Sequence, residues 1–283
     1  MRRSLFRRAL SILLATAATL LLLTPTAYAQ SSRAWVGIVL GDTDSRPGVD
    51  VDVVLRRSPA HEAGMEDGDR VLAVNGRPVR TTGKLESILR EQRPGRSVVL
   101  TIEREGATKP LEVAVAASPP TAEVIDMHHR GFAVPDVALT DMDGADLSLT
   151  GQFEGLVVVE FWATWCSVCR QVSRKLEAAL DEHPEAFTVL SVTSEDADTV
   201  RDHLETHPKA HTIALDEGNG AHDAFLVNSY PFVVVVKPDG TVESVATSID
   251  KIDEIIAGLT DSEEAPSDEA PSVDVDDEAT EGE

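Results

Sequence analysis

The sequence predicts two domains in series. The first is a small β-rich domain with two helices over residues 33–117, and the second is an α/β domain, a mixed central sheet flanked by helices, over 131–260. Three observations predict this. Up to residue 117, short runs of alternating apolar and polar residues are punctuated by Gly, Pro and Asn. Beyond residue 130, longer apolar runs alternate with stretches of helical period. The balance of acid and base also shifts where one pattern replaces the other. With 283 residues, 42% of them hydrophobic, the chain has material for two modest cores.

Taken in order, residues 1–29 put four arginines ahead of an apolar run and close on Ala27-Tyr28-Ala29, the build of a cleaved export signal with cleavage after Ala29. The competing reading is an uncleaved helix anchored in the inner membrane, for which Leu10 to Leu23 is short of the roughly 20 apolar residues required. In the first domain "SPAHEAGMEDGDRVLAVNGRPV" predicts a short helix from Pro59 and a stop at Gly64, then a strand Arg70 to Val74 and an Asn75-Gly76 turn. "GKLESILREQRPG" sets Leu85, Ile88 and Leu89 on one helical face, and "SVVLTIER" and "LEVAVAA" predict two more strands. Residues 118–130 predict a linker, stiff and extended from Pro119-Pro120 and ending in a solvated His128-His129 pair.

In the second domain the runs "LVVVEFWA", "FTVLSVTS", "HTIALD" and "FVVVVKPDG" predict strands. Helices are predicted over 167–182, 195–206 and 250–259, with Pro238-Asp239-Gly240 turning the last hairpin. Residues 261–283, "DSEEAPSDEAPSVDVDDEATEGE", lack aromatic residues and periodicity and predict a disordered acidic tail.

Lys and Arg against Asp and Glu number 4 and 0 over residues 1–29, 13 and 13 over 30–117, 8 and 25 over 118–260, and 0 and 11 over 261–283. After cleavage 21 basic residues would face 49 acidic ones, a net charge of −28. Such a chain repels phosphate backbones and anionic lipid, which excludes nucleic acid as a partner. Nothing in the sequence calls for a cofactor. A metal is not expected either, because neighbouring histidines in extended chain point apart and two cysteines alone rarely hold one.

Both cysteines lie in "FWATWCSVCR", Cys166 and Cys169. Cys166 follows a buried strand at the start of a helix, where free backbone N–H groups and the positive end of the helix dipole favour thiolate. Cys169, one turn on, is within disulfide reach. A bridge closing so short a loop restrains the unfolded chain little, so stability is a poor reason for the pair. Reversible exchange is a better one. Cys166 would attack a client disulfide and Cys169 would resolve the mixed disulfide, or the pair would donate its own bridge in the reverse direction.

The first domain resembles bacterial PDZ domains of the kind found in exported proteases, through "AWVGIVL", "SPAHEAG" and "GDRVLAVNG". The resemblance implies a site for peptide C-termini. Trp35, Val36, Gly37 and Ile38 match the carboxylate-binding loop, and Leu85, Ile88 and Leu89 are placed along the pocket for the ligand's last residue, unless they only build core. "VVVEFWATWCSVCR" resembles the thioredoxin superfamily, and "PDVALTDMDGADLSLTGQFEGL" the exported TlpA/ResA-like thiol–disulfide oxidoreductases.

That second resemblance implies protein thiols and disulfides as substrates and a separate electron-transfer thiol partner, in the membrane or outside it. It casts Pro231 as a cis residue beside the cysteines, with Tyr230 before it offering backbone to substrate. It casts Glu160 as a buried acid that takes the resolving thiol's proton, against a carboxylate reaching solvent, and places Trp165 and Trp162 around the site, Trp162 equally as core. Ser167-Val168 between the cysteines, Val172 and Arg174 depart from the family, and Arg170 and Arg174 add positive charge favouring thiolate. The expectation is an exported, periplasmic oxidoreductase of unassigned direction, somewhat more oxidising than thioredoxin. Its rival is a PDZ scaffold with a redox-silent thioredoxin fold.

Overall fold

A computed structural model describes residues 33–42, 44–151, 153 and 155–261, the last of these without its side chain. The predicted export signal and the acidic tail past residue 261 lie outside the described residues. Contacts divide the chain into two compact units, one of residues up to Val36 with Leu40–Val51 and Gly68–Ser118, the other of Gly37–Val39, Asp52–Asp67 and residues from Pro119 on.

The β-rich region runs β1 (Ala34–Trp35), β2 (Ile38–Leu40), β3 (Val49–Val54), α1 (Pro59–Glu62), β4 (Arg70–Val74), β5 (Arg77–Pro78), α2 (Thr82–Arg90), β6 (Ser97–Arg104), β7 (Ala107–Ala114) and β8 (Ala116–Ala117). Its main sheet has the order β2-β3-β4-β6-β7 with β5 on β4, while β1 pairs with β8. Local chemistry explains the boundaries. Ser58 caps α1 by accepting the His61 N–H, Thr81 caps α2 by accepting from Lys84 N–H, and Asn75 and Gly76 both take positive φ in the tight turn between β4 and β5. Strand β7 begins four residues before the predicted "LEVAVAA", because Glu105-Gly106, both at positive φ, return the chain directly after β6. The "ATKP" stretch has no alternation to reveal this.

The α/β region runs α3 (Thr121–His129), β9 (Leu139–Asp141), β10 (Asp146–Leu147), β11 (Leu156–Phe161), α4 (Cys169–Glu182), β12 (Phe187–Thr193), α5 (Ala197–Thr206), β13 (Thr212–Leu215), α6 (Gly220–Ala224), β14 (Phe232–Val236), β15 (Val242–Ala246) and α7 (Ile249–Asp261). The sheet order is β10-β9-β13-β12-β11-β14-β15. Strands β11, β12 and β13 are parallel and the rest antiparallel. Alternation along the buried strands sorts side chains to two faces. Val158, Val189, Val233 and Val235 pack under Val172 and Leu176 of α4 and Ile252 of α7. Val157, Val159, Phe161, Phe232 and Val234 pack under Ile125 of α3 and Phe225, the residue that follows α6.

The predicted extended linker is instead helix α3, and its histidines are buried. The reason is a stripe at i, i+1, i+4, i+5. Val124 and Ile125 continue into His128 and His129, which serve as core residues once their nitrogens are bonded. His128 Nδ1 accepts the Arg56 N–H at 3.0 Å, and His129 Nε2 sits 3.1 Å from the Phe225 carbonyl, all within the second unit. Burial, as the largest cause, pushes His128 down to about 3 and His129 to about 4, so both are neutral. Asp126 on the same helix accepts the backbone N–H of Val245 at 2.8 Å, satisfying a donor on edge strand β15.

Candidate active site

Cys166 and Cys169 form a disulfide, S–S 2.09 Å, with Cα atoms 5.3 Å apart. Helix α4 starts at Cys169 and not at Ser167, because Thr164-Trp165 and Ser167-Val168 form turns and no side chain caps the helix. Cys166 therefore precedes the helix, yet its sulfur still meets a free amide of the first turn. The Cys169 N–H donates to Cys166 Sγ at 3.1 Å. The two sulfurs differ in access, Cys166 being 6% exposed and Cys169 fully sealed. Around them stand Trp162, at the end of β11 and buried, and Trp165, 72% exposed. The Trp165 ring lies 5.6 Å from that of Tyr230, and the Tyr230–Pro231 bond is cis.

Glu160 points from β11 to the α4 face of the sheet, as Val158 does, and none of it reaches solvent. Its carboxylate is held by groups from three other segments. Ser173 of α4 lies 2.8 and 2.9 Å from the two oxygens and 3.0 Å from the Cys169 carbonyl. Ser191, in parallel register with Glu160 on β12, donates to it at 2.7 Å, and Lys209 pairs with it at 2.8 Å. The Lys209 ammonium also lies 4.4 Å from the centre of the Trp162 ring. His211 Nε2 meets Ser191 at 2.7 Å, and burial, followed by the Lys209 charge, pushes the imidazole down to about 3. Its Nδ1 stands 3.4 Å from Glu177, but a neutral ring makes that approach no ion pair.

Sequence reasoning singled out Cys166, Cys169, Glu160, Trp165 and Pro231, and the fold gathers them around the end of β11 and the start of β14. It missed Lys209, Ser191 and His211, which reach Glu160 only through strand register and a loop. It also missed Glu195, read as a helix start. The Glu195 carboxylate takes the Thr164 N–H at 2.6 Å and hydroxyl at 2.8 Å, which clamps the turn two residues before Cys166.

Among the predicted peptide-capture residues, Val36 and Gly37 are buried, while Trp35 and Ile38 keep partial exposure. Gly37 takes φ +84°, a conformation that favours glycine, and its carbonyl accepts from Leu55 N–H at 3.0 Å and the Ser58 hydroxyl at 3.1 Å. Leu85 and Ile88 of α2 are fully buried, and Leu89 is half-buried. Among the described residues no cluster of His, Cys, Asp or Glu is placed to hold a metal ion, and no helix is long and apolar enough to cross a membrane.

Comparison with known families assigns both regions. The PDZ domain model matches residues 51–104 and the AhpC/TSA family model residues 131–245. The chain is thus a β-rich PDZ region followed by a thioredoxin-like domain with a mixed sheet and helices. The thioredoxin-like protein YneN of Bacillus subtilis is 28% identical over 120 residues, 41% of this chain and 70% of its own. A probable periplasmic serine endoprotease DegP-like of Marinomonas sp. is 27% identical over 144 residues, 46% of this chain, and the match spans 29% of that relative's length. Of solved structures, MTB dsbF in its mixed oxidized and reduced forms has a TM-score of 0.39 at 26% identity, covering 45% of this chain and 98% of its own.

Proposed function

We propose that the protein is an exported, periplasmic thiol–disulfide oxidoreductase whose PDZ domain, over 33–117, docks peptide C-termini for a thioredoxin-like domain over 131–260. The observation that carries the reading is the asymmetry of the Cys166–Cys169 pair: Cys166 keeps 6% exposure and its sulfur accepts the Cys169 amide, while Cys169 is fully buried, its carbonyl tied through Ser173 to the Glu160 cluster. DegP-like and thioredoxin-like relatives support the two halves and the exported setting. In the reducing direction the Cys166 thiolate attacks a client disulfide, forming one S–S bond and releasing one client thiolate. The Cys169 thiolate then attacks Cys166, closes the bridge and releases the second client thiolate, so two electrons pass to the client. A separate thiol partner reopens the pair, and the same steps reversed oxidise clients.

The roles follow from position. The Cys169 N–H steadies negative charge on Cys166 Sγ. Glu160 accepts the proton that Cys169 must lose, with Ser173 bridging the carboxylate and the Cys169 backbone. Trp165 and Pro231 frame the face that meets the client. At the PDZ domain, Gly37 and its neighbours hold a terminal carboxylate, and Leu89 is the helix residue left available to a ligand's apolar end.

Alkylation trapping in cells tests the reading. Cys166→Ser should abolish turnover, and Cys169→Ser should accumulate mixed disulfides; a pair that stays fully oxidised while Cys169→Ser traps nothing would overturn it. The same trapping fixes direction, a mostly reduced pair marking a reductase and a mostly oxidised pair an oxidase.

A further inference from the structure

Asp216, at the end of β13, is a buried carboxylate whose hydrogen-bond partners come from one short segment. Its oxygens accept the backbone N–H groups of Ala221 and His222, both at 2.9 Å, and stand 2.6 Å from His222 Nδ1. A carboxylate accepts only, so Nδ1 carries a proton and donates to Asp216. The other ring nitrogen, Nε2, is hydrogen-bonded to the Tyr230 hydroxyl at 2.8 Å. The imidazole is 7% exposed and braced edge-on against Phe161, ring centres 5.0 Å apart. At the far end, the hydroxyl is also bonded to Ser194, and the Tyr230 ring packs against the cluster containing Trp162, Cys166 and Cys169 and against exposed Trp165.

Helix α6 is five residues long and its start needs no more than a neutral side chain to satisfy two amides. Burying a carboxylate and an imidazole there costs desolvation that such a cap does not require. What the pair adds beyond a cap is the hydrogen bond to Tyr230. We infer that Asp216 and His222 are positioning residues that fix the Tyr230 ring against Trp165, so that the wall receiving a protein client beside Cys166 is set before the client arrives. These hydrogen bonds act on capture of large substrates and not on sulfur chemistry, since His222 reaches the site only through Tyr230. This rests on the oxidoreductase reading.

The test uses the full chain with two probes, a small aromatic disulfide and the interchain disulfides of insulin. His222→Gln should raise KM for insulin about tenfold with kcat within twofold, and leave turnover of the small disulfide unchanged. Tyr230→Phe should raise the insulin KM similarly, and the double variant should be no worse than Tyr230→Phe alone, because both substitutions cut the same run of hydrogen bonds. Independently of turnover, iodide quenching of Trp165, taken as the difference from Trp165→Phe, should rise about twofold in His222→Gln. Additive losses, an unchanged insulin KM or unchanged quenching in folded His222→Gln protein would overturn the inference. If His222→Gln does not fold, Tyr230→Phe, which removes one oxygen from a partly exposed ring, carries the insulin KM and quenching readouts. A wild-type protein inactive on both disulfides would remove the oxidoreductase reading, and the quenching arm alone would then decide whether Asp216 and His222 position Tyr230.

Discussion

Two buried polar clusters flank the dithiol, and they are built on opposite electrostatic plans. Behind Cys169, Glu160 carries a full ion pair with Lys209 and hydrogen bonds from Ser173 of α4 and Ser191 of β12, the latter bonded in turn to His211 before β13. Reaching the dithiol only through Tyr230, Asp216 leans on one imidazole and two backbone amides from a single short segment, with no lysine or arginine bonded to it among the described residues. The first cluster stitches the sheet to helix α4 and is tied through Ser173 to the backbone of Cys169. The second ends at a ring on the surface. On the roles proposed above, charge would serve the interior thiol and orientation the outer one.

The contrast is broken most forcefully at Lys209. Removing one partner of a buried pair leaves the other charge uncompensated, so Lys209→Met should lower stability by about 3–5 kcal/mol in urea titrations. Adding Glu160→Gln should return most of that loss. Asp216→Asn turns an acceptor into a donor opposite N–H groups and should cost less, about 1–3 kcal/mol by the same measurement. Equal losses at the two sites would show that the clusters do not differ in kind.

Acid sharpens the comparison further. His128, His129 and His211 hold folded pKa values near 3 to 4, below the unfolded value of 6.5. The unfolded chain therefore binds protons first, and the stabilisation present above pH 6.5 is lost as pH falls towards 4. Between pH 7.5 and 5.5 each histidine should subtract about 1.4 kcal/mol from unfolding stability, and His211→Gln should flatten the profile by one such increment. The smallest effect is expected at Trp165. Its exposed ring contributes within about 0.5 kcal/mol of stability, so Trp165→Ala should leave the urea midpoint almost unmoved while raising the insulin KM.

Much of this was legible in the sequence, and the reasons are local. The valine-rich runs of β11 and β14 are too apolar to be anything but buried strands, and Cys166 and Cys169 declare their relation by spacing alone. Glu160 was singled out through the thioredoxin resemblance, with a solvent-reaching carboxylate left open as the alternative. Its partners were not. Ser191 meets it through parallel register, and Lys209 arrives 49 residues later on a loop with no periodicity. Helix α6 is too short to show a 3.6-residue repeat, so Asp216 and His222 gave no sign of meeting Tyr230. Helix α3 was hidden by reading His128 and His129 as polar, when burial makes them neutral and the stripe continuous.

The bond from Asp126 to Val245 has a consequence beyond holding α3 in place. A terminal strand offers its row of amides to any extended chain nearby, and under the proposed function such chains would include protein clients. With a carboxylate already seated on one of those amides, β15 is a poor template for zipping a passing segment onto the sheet. If the proposed function holds, the helix thereby favours association with clients through reversible sulfur chemistry over backbone pairing at this edge.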